Sequence, residues 1–288
     1  MNEVISKMIS AYECRTLDDY VKALREIMQE VALLGLWRSK FFEHSAFYGG
    51  TALRLLYGLD RYSEDLDFSL LKANPDFNIS RYLNVLRNEL VSYGFDVSLE
   101  KKKKGEGTAI QSAFLKADTL KQLIVVEAQK NIVAELPRGR IIKIKLEIDT
   151  NPPAGFETET KFLLQPIPFS VKVFSLPDLF AGKMHALLCR NWKSRVKGRD
   201  WYDFVWYVSN HPNLRLSHLE KRMQQSGHIR EEEHLEEDEF RSMLREKIKA
   251  VDVVQIKKEV TPFLKNPDMI AIWSEKFFLS LIEKIKIV

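Results

Sequence analysis

Apolar and polar residues follow two different spacings along the chain, and each spacing predicts its own kind of element. Apolar side chains that recur every three or four positions predict helices within 1–45, at 51–57, at 80–91 and through most of 175–288. Alternation of apolar and polar residues predicts strands at 65–70 and 141–148, and further short strands are predicted at 97–99, 109–115, 123–127 and 171–173. Strands are therefore expected in the middle of the chain, with helices on both sides.

The order of these elements predicts the fold class. Strands mixed with helices up to residue 170 indicate an α/β domain of the α+β kind, built on a mixed sheet. The remainder is helical, so we predict a first domain at 1–170 and a helical C-terminal domain at 171–288. A length of 288 residues is sufficient for two modest domains.

Composition narrows the class of protein. Hydrophobic residues make up 45% of the chain and charged residues 29%, which is ordinary for a globular protein. No apolar run approaches the roughly 20 residues that span a bilayer, and residues 1–15 lack the apolar core of a secretory signal. The two cysteines, Cys14 and Cys189, show no metal-type spacing. We therefore expect a cytoplasmic protein without a membrane segment.

The net charge of +4 is unevenly distributed. Residues 231–239 contain seven acids and no Lys or Arg, so the rest of the chain carries a net charge of +11. A basic body is compatible with an anionic macromolecular substrate, although scattered solvated lysines explain it equally well. The acidic segment is either without fixed structure or complementary to a basic partner. Lysines 101–104, before Gly105, form either a soluble hairpin end or an RNA contact.

The densest group of chemically suggestive residues lies between residues 47 and 70. Asp65 and Asp67 are two positions apart in a predicted strand, so both point to one face, where a divalent cation would relieve their repulsion. Gly49 and Gly50 precede a predicted helix, whose N-terminus would accept a phosphate. Either feature alone is more often structural, but the combination indicates a site for a nucleoside triphosphate.

The run GGTALRLLYGLDRYSEDLDF at 49–68 resembles the signature of the AbiEii-type nucleotidyltransferase toxins, members of the polymerase-beta-like nucleotidyltransferase superfamily. Two later segments resemble further elements of that family. They are Lys-x-x-Ala-x-x-x-Arg at 183–190 and Arg-Asp-x-x-Asp at 199–203. The resemblance spans residues 45–207 and implies a polymerase-beta-like nucleotidyltransferase domain.

The resemblance also implies which residues bind metal. Asp65 and Asp67 are expected to bind Mg²⁺, or Mn²⁺ in its place, and Asp149 is expected to complete the metal site and to act as the catalytic base or to position it. Glu147 lies on the same face of its strand as Asp149 and is expected to assist. An amphipathic edge strand would show the same alternation at 141–149.

The remaining site residues are expected to bind the nucleotide. Lys183 and Asp200 complete the catalytic set, with Lys183 neutralising charge on the leaving pyrophosphate. Nucleotide contacts are expected from Gly49, Gly50, Thr51, Arg61, Ser63 and Lys183. Structural alternatives stay open for three of them. Capping of a turn is favoured for Ser63, a phosphate contact is slightly favoured over a solvated helix face for Arg61, and Lys183 is alternatively a surface lysine.

The expected reaction is transfer of a nucleoside monophosphate from an NTP to an acceptor hydroxyl. The resemblance implies a toxin of a type IV-style toxin–antitoxin or phage-defence system, with the 3′ end of tRNA as acceptor and an antitoxin encoded nearby. Two alternatives remain: transfer to a protein side chain or small molecule, and a non-catalytic nucleotide-binding regulator. The sequence names neither the NTP nor the acceptor.

Overall fold

The computed structural model describes residues 3–101, 109–118, 141–190 and 196–288, which form two compact units. The first unit comprises Met1–Tyr57, Ser63–Pro152 and Thr160–Val173, and the second comprises Gly58–Tyr62, Pro153–Glu159 and Phe174–Val288. Separate domains at 1–170 and 171–288 stay a prediction. The expected strand at 123–127 and most of the lysine-rich tip at 101–107 lie outside the described residues.

Ten helices lie in the described part of the chain. In chain order they are α1 (Glu3–Ser10), α2 (Leu17–Arg38), α3 (Gly49–Tyr57), α4 (Ser80–Ser92), α5 (Leu176–Cys189), α6 (Gly198–Asn210), α7 (Leu216–Gln225), α8 (Glu237–Ala250), α9 (Val253–Val260) and α10 (Glu275–Ile282). None of them is long and apolar enough to span a bilayer, within the ranges that the structure describes.

A seven-stranded mixed sheet forms the centre of the fold, with strand order β3-β4-β5-β2-β1-β7-β6. Its strands are β1 (Ser45–Tyr48), β2 (Leu66–Leu70), β3 (Val97–Lys101), β4 (Ile110–Asp118), β5 (Ile141–Asp149), β6 (Thr158–Leu163) and β7 (Phe169–Phe174). A separate two-stranded sheet pairs β8 (Asn213–Leu214) with β9 (Lys286–Ile287). The predicted class, a mixed sheet with helices, is confirmed.

Helix α2 supports the sheet in the first unit. It begins with a capping box: the side chain of Thr16 accepts the N–H of Asp19, and the Asp19 carboxylate accepts the N–H of Thr16. Fourteen residues of this helix are buried, more than a single amphipathic stripe supplies, because α2 also packs against α4. The helix predicted behind Thr16 is therefore confirmed and extends to Arg38.

Strands β1 and β2 are antiparallel neighbours, and helix α3 connects them. Phe47 lies opposite Phe68, and their rings stack with centroids 5.2 Å apart in the core. The same register places Tyr48 opposite Asp67. On its other edge, β2 runs parallel to β5. This arrangement brings the end of β1, the start of α3 and the carboxylates of β2 to one region of the sheet.

The acidic segment 231–239 has a structural explanation in the second unit. Its first part forms a turn in which the backbone N–H of Arg230 donates to Glu233. Its last part provides the first turn of α8, Glu237, Asp238 and Glu239, where carboxylates interact favourably with the positive end of the helix dipole. Of the two alternatives for the acidic segment, the one without fixed structure is therefore wrong, and complementarity to a basic partner stays a prediction.

Candidate active site

Two neighbouring parallel strands supply the carboxylates of the candidate site. Asp67 lies in β2 and Asp65 lies directly before it, and both side chains are half-buried. Residues that face each other across parallel strands point to the same side of the sheet. Asp67 is in register with Glu147 of β5, so both carboxylates belong to one sheet face.

The register distinguishes the two acids of β5. Glu147 lies beside Asp67, whereas Asp149 lies beside Ser69, two residue pairs further along. The carboxylate of Asp149 accepts the backbone N–H of Asn151 at 2.9 Å. Glu147 forms an ion pair of 2.6 Å with Lys145 on its own strand. The structure thus brings Glu147 closer in register to the expected metal pair than Asp149, the residue that the resemblance implied.

Gly49, the first residue of α3, lies against the Asp67 carboxylate. Its φ of +83° belongs to the left-handed region, which favours glycine. A Cβ atom at this position would lie 2.6 Å from Asp67 Oδ2, closer than real Cβ contacts. Gly50 follows as the second residue of α3, where helix N–H groups have no partner within the helix. Glycine at position 49 is therefore required by both conformation and space.

Thr51 and Ser63 have structural contacts next to the carboxylates. The buried hydroxyl of Thr51 donates to the backbone carbonyl of Asp65, which fixes the start of β2 relative to α3. The carbonyl of Ser63 accepts the side-chain amide of Gln29 at 3.3 Å. These contacts hold the segment that leads into the carboxylate strand, so part of the predicted nucleotide-binding set contributes to positioning.

A buried network of opposite charges occupies the second unit. Lys183 of α5 forms ion pairs with Asp200 at 2.8 Å and with Asp203 at 2.7 Å, both on α6. Arg61 forms two hydrogen bonds of 2.6 Å with Asp203, and its side chain is only 3% exposed. The solvated-surface alternative for Arg61 and Lys183 is therefore wrong, since both lie in this network.

The network controls the protonation of its members. Burial lowers the pKa of Lys183, but Asp200 and Asp203 outweigh that effect and hold the pKa above its usual range. Burial raises the pKa of Asp200, but Lys183 and Lys197 reverse the shift and bring it to about 2. Lys183 and Asp200 are therefore both charged at neutral pH.

Further positive charge surrounds Asp200. Arg190 lies 3.8 Å from its carboxylate and is 47% exposed at the side chain. Burial lowers the pKa of Lys197, and Lys183, Arg190 and Arg199 add to that effect. More cations than carboxylates therefore meet at this end of α6, which suits an anionic ligand.

The comparison with protein families assigns the chain to the nucleotidyltransferases. The family model described as the nucleotidyl transferase AbiEii toxin of type IV toxin–antitoxin systems matches residues 31–275. The chain therefore belongs to the AbiEii family, and the resemblance seen at 49–68 is confirmed. Membership implies an antitoxin partner. A search of curated proteins finds no match to the chain.

A solved structure agrees with this fold. JHP933 from Helicobacter pylori superposes with a TM-score of 0.52 at 17% sequence identity, covering 91% of this chain and 88% of its own. A candidate nucleotidyltransferase from H. pylori gives a TM-score of 0.49 at 17% identity, covering 90% and 89%. At 17% identity the superposition shows that this chain shares the fold of JHP933, and it says nothing about substrates.

Proposed function

We propose that this protein transfers a nucleoside monophosphate from an NTP to an acceptor hydroxyl, with the 3′ end of tRNA as the acceptor. The acceptor oxygen attacks the α-phosphorus, the bond from that phosphorus to the bridging oxygen breaks, and pyrophosphate leaves. The observation that carries the proposal is the close approach of Gly49 to the Asp67 carboxylate, because it puts the helix start proposed to accept phosphate beside the acid proposed to bind metal.

Asp65, Asp67 and a third carboxylate of β5 would hold Mg²⁺, or Mn²⁺ in its place, since half-buried carboxylate oxygens suit hard divalent cations. The bound cation would polarise the triphosphate and the attacking hydroxyl. The register with Asp67 favours Glu147 as the third ligand. Asp149, two residues further along the same face, would then accept the proton of the hydroxyl.

The glycine turn and the charged network would bind the remainder of the nucleotide. Gly49, Gly50 and Thr51 begin α3, and their backbone N–H groups would donate to phosphate oxygens, with Ser63 as a further contact. Lys183 would neutralise charge on the leaving pyrophosphate. Asp200 would keep Lys183 charged and oriented.

Arg61 would act through this network rather than on a phosphate directly, because its guanidinium is committed to Asp203. Such an arrangement makes Arg61 a positioning residue in our proposal. Its contribution to nucleotide binding would come from holding Asp203 beside Lys183.

The experiment is incubation of the purified chain with total tRNA and each α-labelled NTP in the presence of Mg²⁺. Asp65→Ala tests the site, and Asp76→Ala, which removes an exposed carboxylate of a nearby loop, is the matched control. We expect label in tRNA with the wild type and with Asp76→Ala, and none with Asp65→Ala. Label that survives in Asp65→Ala would refute the proposed site.

Two other outcomes would change the acceptor or the activity. Label in protein instead of tRNA would support transfer to a side chain. Binding of NTP without transfer to tRNA, protein or small hydroxyl compounds would support a nucleotide-binding regulator and would contradict the proposed reaction. Mn²⁺ in place of Mg²⁺ is expected to sustain the transfer.

A further inference from the structure

Helix α5 carries a second group of reactive side chains besides Lys183. His185 and Cys189 are four residues apart, so both lie on the same face of the helix. His185 is about 200° around the helix from Lys183, at 3.6 residues per turn. His185 and Cys189 therefore lie away from the lysine face, and the proposed transfer reaction makes no use of them.

His228 completes the group from the turn that follows α7, within the same compact unit. The ligand atoms of His185, Cys189 and His228 all lie within 4.8 Å of one another. Tetrahedral coordination with ordinary Zn–N and Zn–S bonds needs ligand atoms about 3.3–3.6 Å apart. The ligand atoms therefore have to approach one another by at most about 1.5 Å, a distance that side-chain rotation covers, and His228 is exposed.

Ser226 already brings the two imidazoles together. Its hydroxyl lies 2.8 Å from His185 Nε2 and 2.8 Å from His228 Nδ1. The other nitrogen of His228, Nε2, lies 2.9 Å from the carbonyl oxygen of Cys189. The two rings thus converge on one point beside the end of α5, where a single oxygen atom is shared between them.

Protonation also suits coordination by the imidazoles. Burial lowers the pKa of His185 to about 4, and the neighbouring cations Arg222 and Arg190 and the ring of His228 add to the effect. His185 is therefore neutral at pH 7, as a metal ligand must be. The nearby arginines oppose a cation, but deprotonation of a coordinating thiol supplies one negative charge in return.

We propose that His185, Cys189 and His228 form a binding site for a thiophilic divalent cation, with Zn²⁺ as the best fit. Two imidazoles and one thiolate match the ligand preference of zinc, and a water molecule or the Ser226 hydroxyl would take the fourth position. Binding converts the Cys189 thiol to a thiolate and releases one proton to solvent. The site is independent of the carboxylates of the first unit, which suit hard cations.

Coordination would join the C-terminal end of α5 to the turn after α7. Because α5 also carries Lys183, the cation would fix the helix that presents the lysine to Asp200 and Asp203. The proposed role is therefore structural support of the charged network, and it does not require the transfer reaction to be correct.

Cobalt provides a direct readout that does not depend on activity. The full chain, freed of metal by chelation, is titrated with Co²⁺ in excess Mg²⁺, so that carboxylate sites are occupied by Mg²⁺. We expect one Co²⁺ per chain, a near-ultraviolet thiolate-to-cobalt absorption band, visible bands of tetrahedral coordination, and displacement by Zn²⁺. Absence of the thiolate band from the wild type would overturn the proposal.

The two cysteines of the chain offer a matched pair of variants. Burial raises the pKa of both Cys14 and Cys189 to about 11, so neither is a reactive thiolate without metal. Cys189→Ser is expected to abolish the band, and Cys14→Ser is expected to leave it unchanged. A band that survives in Cys189→Ser, or disappears in Cys14→Ser, would contradict the assignment.

His228→Ala keeps the test informative if Cys189→Ser fails to fold, because His228 is exposed and its loss leaves the core intact. Mutation of a residue that only hydrogen-bonds to a metal ligand typically lowers metal affinity about 10–100-fold. Loss of a ligand itself should therefore weaken Co²⁺ binding at least about 100-fold. Unchanged affinity in His228→Ala would exclude the three-ligand site.

Discussion

Gly49 lies so near the Asp67 carboxylate that no side chain fits between them, which makes Gly49→Ala the most informative substitution. Alanine at a φ of +83° would cost about 1–2 kcal/mol of stability, because L-residues are strained in the left-handed region. The new Cβ would also lie 2.6 Å from Asp67 Oδ2. Reaching an ordinary contact of 3.4 Å requires the carboxylate to move by about 0.8 Å.

That displacement sets the expected loss of activity. Misplacing a catalytic group by about 1 Å can cost about 100-fold in rate. We therefore expect nucleotide transfer by Gly49→Ala to fall by about 100-fold. A loss of about 1–2 kcal/mol in stability leaves most of the protein folded at the assay temperature, so it cannot by itself lower the transfer activity about 100-fold.

Gly58→Ala separates the two effects. Gly58 has a φ of +78°, but a Cβ atom there would meet nothing within 4 Å. Both variants should therefore lose similar free energy of unfolding in urea titrations, whereas only Gly49→Ala should lose transfer activity. Equal activities of the two folded variants would refute the argument that Gly49 positions the Asp67 carboxylate.

Three further predictions follow from the two strand acids and the charged network. Glu147→Gln should raise the Mg²⁺ concentration required for transfer at least about 10-fold. Asp149→Asn should lower the maximal rate by about 10²–10⁴ and leave the required Mg²⁺ concentration unchanged. The reverse pattern would show that Asp149 binds the metal and Glu147 accepts the proton. Arg61→Leu should lower the free energy of unfolding by about 3–5 kcal/mol, because the buried Asp203 carboxylate loses its Arg61 partner. A decrease of less than about 1 kcal/mol would contradict this prediction. The pKa of Asp200, about 2 in the folded chain against an ordinary 3.8, gives stability that is present above about pH 4 and lost as the pH falls towards 2. Compared with Asp200→Asn, the wild type should therefore lose about 2 kcal/mol more between pH 4 and pH 2 in urea titrations, and parallel pH profiles would refute it.

Local patterns predicted the elements around the carboxylates well. The alternation at 141–148 matches β5, and Thr16 begins α2 as expected, because strand pleat and helix capping depend on neighbouring residues. Strand β1, Ser45–Tyr48, was missed. It is a run of four residues buried on both faces, so it shows no alternation of apolar and polar positions.

Long-range contacts were the part that sequence reasoning could not reach. Arg61 and Asp203 are 142 positions apart, and nothing in the sequence around either residue indicates that they meet. His185 and Cys189 show a helical spacing, but His228 joins them only through the fold of the second unit. The choice between Glu147 and Asp149 likewise required the register of β5 on β2, because both acids lie on the same face of one strand.

The position of α3 between β1 and β2 has a consequence for the order in which the protein is made. Tyr48 and Asp67, which pair in the sheet, are only 19 residues apart in the chain. The ribosome therefore completes Gly49, Gly50, Asp65 and Asp67 within a short interval early in synthesis. Asp203 follows 136 residues later, on the order of ten seconds at ordinary elongation rates. A truncated product that ends before Lys183 would therefore contain Gly49, Asp65 and Asp67 without the cation proposed for the leaving group.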